Sequence, residues 1–402
     1  MKVTIKPSKL KGRVCAPPSK SMAHRLLICA GLSDGVSNIS NVAESEDILA
    51  TLSCLKALGA DIKENRDADE EYKTLQLRGI NPTQAEEAVL PCNESGSTLR
   101  FFIPIAALSD KEVLLTGSET LMNRPLTVYE DIFKEQELKF EKSKSELRIK
   151  GRLKGGAFKI AADISSQFIS GLLFSLPLCE EDSTIELSGA IESKPYIDMT
   201  IEALSRFGIK IEWESESTLR IEGGQTYRTS DERVEGDWSN AAYLMTLGAE
   251  VKGLDENSLQ GDKACTGFFK LLEEGCAELD IADTPDLAPA LMAYAAMNHG
   301  CILRGTRRLK IKESDRGAAM QEELKKLGVE TKLSENSIVV GCGISKPNEA
   351  FSGHNDHRIV MALAALCTKT GGVIEGAEAV AKSFPDYFEK ISELGVRMNK
   401  EN

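Results

Sequence analysis

The sequence predicts a two-domain α/β protein, and three observations carry that prediction: a helix exit that recurs along the chain, strand patterns behind the exits, and a length of 402 residues. The exit is Leu55-Lys56-Ala57-Leu58-Gly59-Ala60. It returns as Leu204-Ser205-Arg206-Phe207-Gly208-Ile209, as Leu324-Lys325-Lys326-Leu327-Gly328-Val329 and as Ile391-Ser392-Glu393-Leu394-Gly395-Val396. Leu271-Leu272-Glu273-Glu274-Gly275-Cys276 is a looser copy, and Phe133-Lys134-Glu135-Gln136-Glu137-Leu138 is one without the glycine. Each reads as the last turn of an amphipathic helix, a residue that stops it, and the start of a strand. The spacing, roughly 50 to 80 residues, suits a helix-plus-strands unit and is too wide for a solenoid. One core seldom grows beyond about 250–300 residues, so six units are expected to divide into two domains of three.

In chain order, residues 1–5 alternate as a short strand, and Pro17-Pro18 stiffens the entry to a first helix. Apolar residues at three- and four-residue spacing predict helices over 47–58 and 314–327, with another over 99–108. Alternation predicts strands at 74–78, 146–150, 218–222 and 337–340, and again over Leu309-Lys310-Ile311-Lys312. The loop Gly223-Gly224-Gln225-Thr226-Tyr227 is the expected crossing between domains.

Composition narrows the class of function. Hydrophobic residues make up 42% and charged residues 28%, as in globular proteins, while only 5% aromatics imply an aliphatic core. No apolar run approaches the roughly 18 residues of a membrane span, and no long apolar stretch follows the first strand. A cytoplasmic protein is expected. Ten scattered cysteines without a CxxC pair read as reduced, structural thiols. A net charge of -13 disfavours nucleic acid and anionic membrane as partners. An anionic small molecule would need cations gathered locally.

Several helix entries offer such gathering. Ser19-Lys20-Ser21-Met22-Ala23-His24-Arg25 places Lys20 and Ser21 at a helix start, where backbone N–H groups favour an anion, with Arg25 about one turn on. Glu94-Ser95-Gly96-Ser97-Thr98 and Asp163-Ile164-Ser165-Ser166-Gln167 are further hydroxyl-rich entries; neither fits a nucleotide-binding pattern. Lys310-Ile311-Lys312-Glu313-Ser314-Asp315-Arg316 packs charge where the predicted strand meets a helix. His354 and His357 stand three apart, but a metal needs three or four ligands, so no metal site is expected.

Taken together these segments resemble the enolpyruvyl transferase family, and within it EPSP synthase (3-phosphoshikimate 1-carboxyvinyltransferase). The resemblance runs from Lys6 to Leu394. Its most specific parts are Pro18-Ser19-Lys20-Ser21 with Arg25, Arg124-Pro125-Leu126, Ser165-Ser166-Gln167 and Ser193-Lys194-Pro195-Tyr196-Ile197-Asp198. Lys312-Glu313-Ser314-Asp315-Arg316, Asn355-Asp356-His357-Arg358 and Lys382-Ser383-Phe384-Pro385-Asp386 complete it. The resemblance implies a fold of two domains, each of three βαβαββ-type units around a pseudo-threefold, with the active site in the interdomain cleft. Residues 1–18 plus 231–402 would form one domain, carrying the catalytic carboxylates, and 19–230 the other.

The implied reaction transfers the enolpyruvyl group of phosphoenolpyruvate to the 5-hydroxyl of shikimate 3-phosphate, on the shikimate route to chorismate and the aromatic amino acids. Two phosphates and two carboxylates then meet in one site, which demands convergent cations. By matching position, Lys20, Gly96, Arg124, Gln167, Arg316, Arg358 and Lys382 would hold phosphoenolpyruvate. Lys20, Ser21, Arg25, Ser165, Ser166, Gln167, Ser193, Tyr196, Asp286 and Lys312 would hold shikimate 3-phosphate. Asp286, Glu313 and Lys20 would be catalytic. No cofactor is required, and a monomer is expected. Glu94 and Arg308 depart from the residues common in the family at those positions. The alternatives are the sister enzyme acting on UDP-N-acetylglucosamine, whose Lys-Asn pair and loop cysteine have no counterpart in Lys20-Ser21 and 116–124, and a non-catalytic paralogue that only binds.

Overall fold

Aliphatic side chains on alternate strand positions gather into two separate hydrophobic clusters, one for each unit into which the chain divides. The computed structural model describes residues 1–10, 12–65 and 71–401. One unit is Met1–Ser19 with Gly236–Asn402; the other is Lys20–Glu235. The second crossing thus falls at 235/236 rather than 230/231. Glu232–Arg233 pairs in parallel with Val36–Val42, and the Val234 N–H donates to the Ser40 carbonyl, tying this stretch to the inserted unit. Nor does the chain cross at 223–227. Tyr227 is buried there, its hydroxyl donating to the Phe174 carbonyl at 2.7 Å.

In the inserted unit three four-stranded sheets share one plan. Ala88–Asn93 runs parallel to Val113–Gly117, with the helix Gly96–Ala106 between them in sequence; the hairpin Lys139–Lys142 and Glu146–Lys150 then adds antiparallel to Val113–Gly117. The order is first, second, fourth, third strand. Ala157–Ala161, Ser183–Ser188, Thr218–Ile221 and Ile211–Trp213 repeat it, as do Glu232–Arg233, Val36–Val42, Lys73–Arg78 and Asp61–Asn65. Because the first two strands are parallel, the helix that follows each one starts at the same end of the sheet. Two helix N-termini per module therefore lie at one edge, an arrangement suited to anions.

The other unit has two such sheets, Ala277–Asp280 with Cys301–Arg304, Ser337–Val340 and Thr331–Leu333, and Phe351–Ser352 with Gly372–Glu375, Lys2–Ile5 and Met398–Glu401. Among the described residues its third module keeps only Arg13–Cys15 parallel to Glu250–Lys252. After the helix Cys265–Glu274 only Gly275 and Cys276 precede the next strand, so the hairpin is missing.

The helix exits bear the repeat out in detail. Gly59, Gly208, Gly328 and Gly395 all have positive φ, and Glu137 takes the same left-handed region (φ 57°) in the copy without glycine. That substitution costs about 1 kcal/mol. Gly275 is extended instead, as befits the module with no hairpin to enter. Residues 309–312 are not a strand: Arg307–Ile311 is a 3-10 turn whose Leu309 N–H donates to Thr306. Two-residue alternation there buries Arg308 and Leu309 together rather than alternate positions. All ten cysteines are free thiols and seven are buried; burial pushes Cys179, Cys265 and Cys301 up to about 12. No described helix is long and apolar enough to cross a membrane.

Candidate active site

Each unit carries its own cluster of cations at helix entries. In Lys20–Glu235 the cluster begins with the helix Lys20–Leu32. Lys20 Nζ donates to Asp47 Oδ2 at 2.6 Å, and both side chains are mostly buried. Asp47 lies in the first turn of Glu46–Ala57, where the helix dipole also favours its charge.

One turn on, Arg25 is buried and, among the described residues, carries no carboxylate partner. Its guanidinium donates to the Ser21 carbonyl (2.6 Å), the Tyr196 carbonyl (2.9 Å) and Thr200 Oγ1 (2.9 Å), and lies over the Phe101 ring at 5.5 Å. Burial brings its pKa down to about 10, still charged at neutral pH. Thr200 is itself fixed by the Tyr196 carbonyl and Ser170. Ser193, at φ 60°, precedes the helix Lys194–Arg206, and the Tyr196 N–H closes the turn onto its carbonyl.

Gly96 opens the helix Gly96–Ala106, with Ser95 Oγ accepting from the Thr98 N–H. A Cβ at Gly96 would lie 2.7 Å from Arg124 Nη1, so glycine lets that guanidinium lie against the helix start. Arg100 donates to Gln167 Oε1 at 2.6 Å and stacks over Phe168; Gln167 Nε2 reaches Ser97 at 2.9 Å. Ser165 caps Ser166–Ser175 by accepting from the Gln167 N–H. Buried hydroxyls join these groups: Thr98 contacts Ser95, the Asp47 carbonyl and Thr51, and Thr51 lies 2.8 Å from His24 Nδ1. Burial, then Lys20 and Arg25, hold His24 well below its usual range and therefore neutral. The structure thus joins Ser21, Arg25, Ser193 and Tyr196 in one group and Ser165 with Gln167 in another, pairs Lys20 with Asp47 and sets Arg124 against Gly96, with Ser166 at the head of its helix.

The second cluster is built differently. Arg316, 1% exposed, heads the helix Arg316–Lys326 and reaches three carboxylates. The distances are 2.6 Å to Asp286, 2.7 Å to Glu313 and 2.9 Å to Asp356. Asp286 also takes Lys312 at 3.1 Å and Arg358 at 3.6 Å. Burial alone would raise the Asp286 carboxyl; Lys312, Arg316 and Arg358 together outweigh it and hold the group well below the usual carboxylate range. Burial lowers Lys312 from the ordinary lysine value, with Asp286 opposing. Arg358 lies over the Tyr243 ring at 5.4 Å, and Tyr243 donates to the Asp286 carbonyl. Asp356 caps His357–Thr370 through the Arg358 N–H and accepts from Ser314. Lys382 Nζ donates to the Asn355 carbonyl at 2.7 Å. Asp286, Lys312, Glu313, Arg316 and Arg358 are therefore in direct contact, and Lys382 joins through the loop. Buried Arg308 donates to the Ala282 carbonyl beside this cluster.

Sequence reasoning passed over Asp47, Arg100, Thr200 and Asp356 as working residues. Asp356 carried a signal, an Asp just before a helix; the others are joined to partners far along the chain. Arg25 and Thr200 are 175 residues apart.

Parallel strands that feed helix starts, with cations gathered there, define an α/β enzyme built to hold small polyanions. The model of the family EPSP synthase (3-phosphoshikimate 1-carboxyvinyltransferase) matches residues 4–391, and the chain belongs to that family. It is 42% identical to a 3-phosphoshikimate 1-carboxyvinyltransferase of Clostridium kluyveri, over 98% of this chain and 97% of that one. Identity is 43% to one of Clostridium perfringens, over 98% of each. The solved structure of an EPSP synthase from Acinetobacter baumannii shares the fold, with a TM-score of 0.80, 21% identity and 100% coverage of both chains.

Proposed function

We propose that this chain transfers the enolpyruvyl group of phosphoenolpyruvate to the 5-hydroxyl of shikimate 3-phosphate, releasing inorganic phosphate, and that the two clusters serve this one reaction. The observation that carries the assignment of roles is Asp286, held ionised by Lys312, Arg316 and Arg358. A carboxylate kept ionised cannot be the acid. Asp286 is left the basic role, accepting the proton of the 5-hydroxyl as its oxygen bonds to C2 of phosphoenolpyruvate, once the substrate anions offset the Lys312, Arg316 and Arg358 charges that depress its basicity. Glu313, on the same Arg316, is the partner that protonates the C3 methylene. The product of this addition is a tetrahedral intermediate. Glu313, now a carboxylate, then takes a proton back from C3 while Asp286 returns its proton to the departing phosphate as the C2–O bond breaks, which restores the vinyl group.

Anion binding draws on residues of both clusters for each substrate. Lys20, Gly96, Arg124, Gln167, Arg316, Arg358 and Lys382 hold phosphoenolpyruvate. Lys20, Ser21, Arg25, Ser165, Ser166, Gln167, Ser193, Tyr196, Asp286 and Lys312 hold shikimate 3-phosphate. Arg25 supports this reading: a buried guanidinium bonded, among the described residues, to neutral groups keeps its charge for a ligand. The enzyme works as a cytoplasmic monomer on this reading, and its seven buried free thiols fit a reducing compartment.

Purified protein with both substrates should release inorganic phosphate, and should release none when UDP-N-acetylglucosamine replaces shikimate 3-phosphate. The reverse pattern would assign the chain to the sister reaction. No release with either acceptor would make it a binding protein.

A further inference from the structure

The loop 352–355 leads into the helix His357–Thr370, which delivers Asp356 and Arg358 to the second cluster. Two consecutive residues of that loop, His354 (φ 49°) and Asn355 (φ 51°), lie in the left-handed region that side chains rarely adopt. Such backbone persists only where its surroundings hold it. Here the holding group is Glu323, a fully buried carboxylate with no part in the chemistry above. Its Oε2 accepts from the Ser352 N–H at 3.1 Å, and its Oε1 lies 2.8 Å from His354 Nε2. Lys326 completes the arrangement, 2.9 Å from the same carboxylate and 3.1 Å from the Ala350 carbonyl.

Glu323 stands seven residues after Arg316 on one helix, close to two full turns, so both project from the same face about 10 Å apart. Arg316 grips Asp356 at one end of the loop while Glu323 grips Ser352 and His354 at the other. Between the two grips lies Asn355, whose carbonyl takes Lys382. Glu322, Glu323 and His354 could in principle share a metal ion, but the Lys326 ammonium already occupies the Glu323 carboxylate and opposes a second cation.

We infer that Glu323 is a positioning residue: by clamping Ser352 and His354 it sets the 355–358 segment, and through it the aim of Arg316, Arg358 and Lys382 at phosphoenolpyruvate. The inference rests on the reaction proposed above. Glu322, Glu323 and Lys326 face His354 from the helix, while Glu375 of the neighbouring strand is engaged by Lys2. The hydrogen bond to Glu323 raises the His354 pKa above its ordinary value, against burial. Protonated His354 is the stronger partner, so the clamp is complete below that ordinary value and weakens as pH rises through the raised one.

The test is steady-state phosphate release by the wild-type enzyme, Glu323→Gln and His354→Gln across pH 5.5 to 9, with each substrate varied in turn. Glu323→Gln should raise KM for phosphoenolpyruvate about tenfold, with little change for shikimate 3-phosphate. His354→Gln keeps a hydrogen bond but cannot titrate; it should flatten the rise of that KM on the alkaline side. A wild-type KM profile retained in His354→Gln would overturn the inference, and so would a Glu323→Gln enzyme that loses only active fraction at unchanged KM. If Glu323→Gln does not fold, the half-buried His354 variant decides. Wild-type protein that releases no phosphate would instead sink the reaction on which the inference rests.

Discussion

Two buried arginines, Arg25 in one cluster and Arg316 in the other, are held by opposite means. In Lys20–Glu235, Arg25 is held by two carbonyls and a hydroxyl, and Arg100 by an amide oxygen, a carbonyl and an aromatic face. In the other unit, Arg316 is held by three carboxylates, and Asp286 is shared among three cations. The difference teaches how an acidic chain does polyanionic work. Neutral partners fix a guanidinium without cancelling it, so Arg25 keeps its charge for a ligand, whereas Lys20 in the same cluster is paired with Asp47. Carboxylates fix and also cancel, so the second cluster gives up binding strength to have groups that can move protons.

If that contrast is right, the largest effect on turnover belongs to the second cluster. Glu313→Gln removes the proposed proton donor and should lower kcat by about 10³-fold, near 4 kcal/mol of barrier, with substrate binding reduced only modestly. Near-normal turnover would end its acid role. Asp356→Asn tests the cost of cancellation, since it leaves buried Arg316 short of a counter-charge. Breaking a buried pair costs about 3–5 kcal/mol, so denaturant unfolding should show a loss of that order.

Asp286 ties stability to pH with a definite sign. Its folded pKa is depressed, so its contribution is present above about pH 4, the unfolded value, and is lost only as pH falls through the lowered value. Asp286→Asn should flatten the acid limb of the stability curve; an unchanged limb would mean that the three cations do not outweigh burial.

Smaller effects should come from the first cluster. Gly96→Ala puts a Cβ 2.7 Å from the Arg124 guanidinium and should raise KM for phosphoenolpyruvate about tenfold while leaving kcat within about twofold. Thr200→Val removes one of three neutral contacts to Arg25. A hydrogen bond to a charged group is worth about 1.5–3 kcal/mol at most; with two carbonyls still in place, KM for shikimate 3-phosphate should rise only about threefold. A hundredfold rise would show that the cradle depends on that hydroxyl.

Much of the fold was legible because local rules and global fold agree there. The strands Glu146–Lys150 and Ser337–Val340 fall where alternation predicts them, and the exits at Gly59, Gly208, Gly328 and Gly395 turn through positive φ. The exit at Glu137 was legible only as a copy, since nothing in glutamate itself favours φ 57°. Residues 309–312 misled because alternation over four residues suits a 3-10 turn as well as a strand. The missing hairpin after Glu274 was hidden because the helix exit that should announce it, at Gly275, survives as a phrase without its turn.

At the site, residue types were legible and partners were not. Lys20, Arg25 and Arg316 could be read from their helix entries. That Arg25 would rest on Thr200, or that Asp356 would brace Arg316, depends on contacts between distant modules. Such contacts are decided by tertiary packing, which no local pattern encodes.

In the proposed reaction Glu313 moves protons to and from C3 while phosphate leaves. Running the reaction in deuterium oxide tests it most directly, with mass spectrometry of the vinyl group in the product. Deuterium is expected in that group for the wild-type enzyme, dependent on both substrates, with a loss of labelled product for Glu313→Gln in step with phosphate release. Full phosphate release with an unlabelled vinyl group would contradict it.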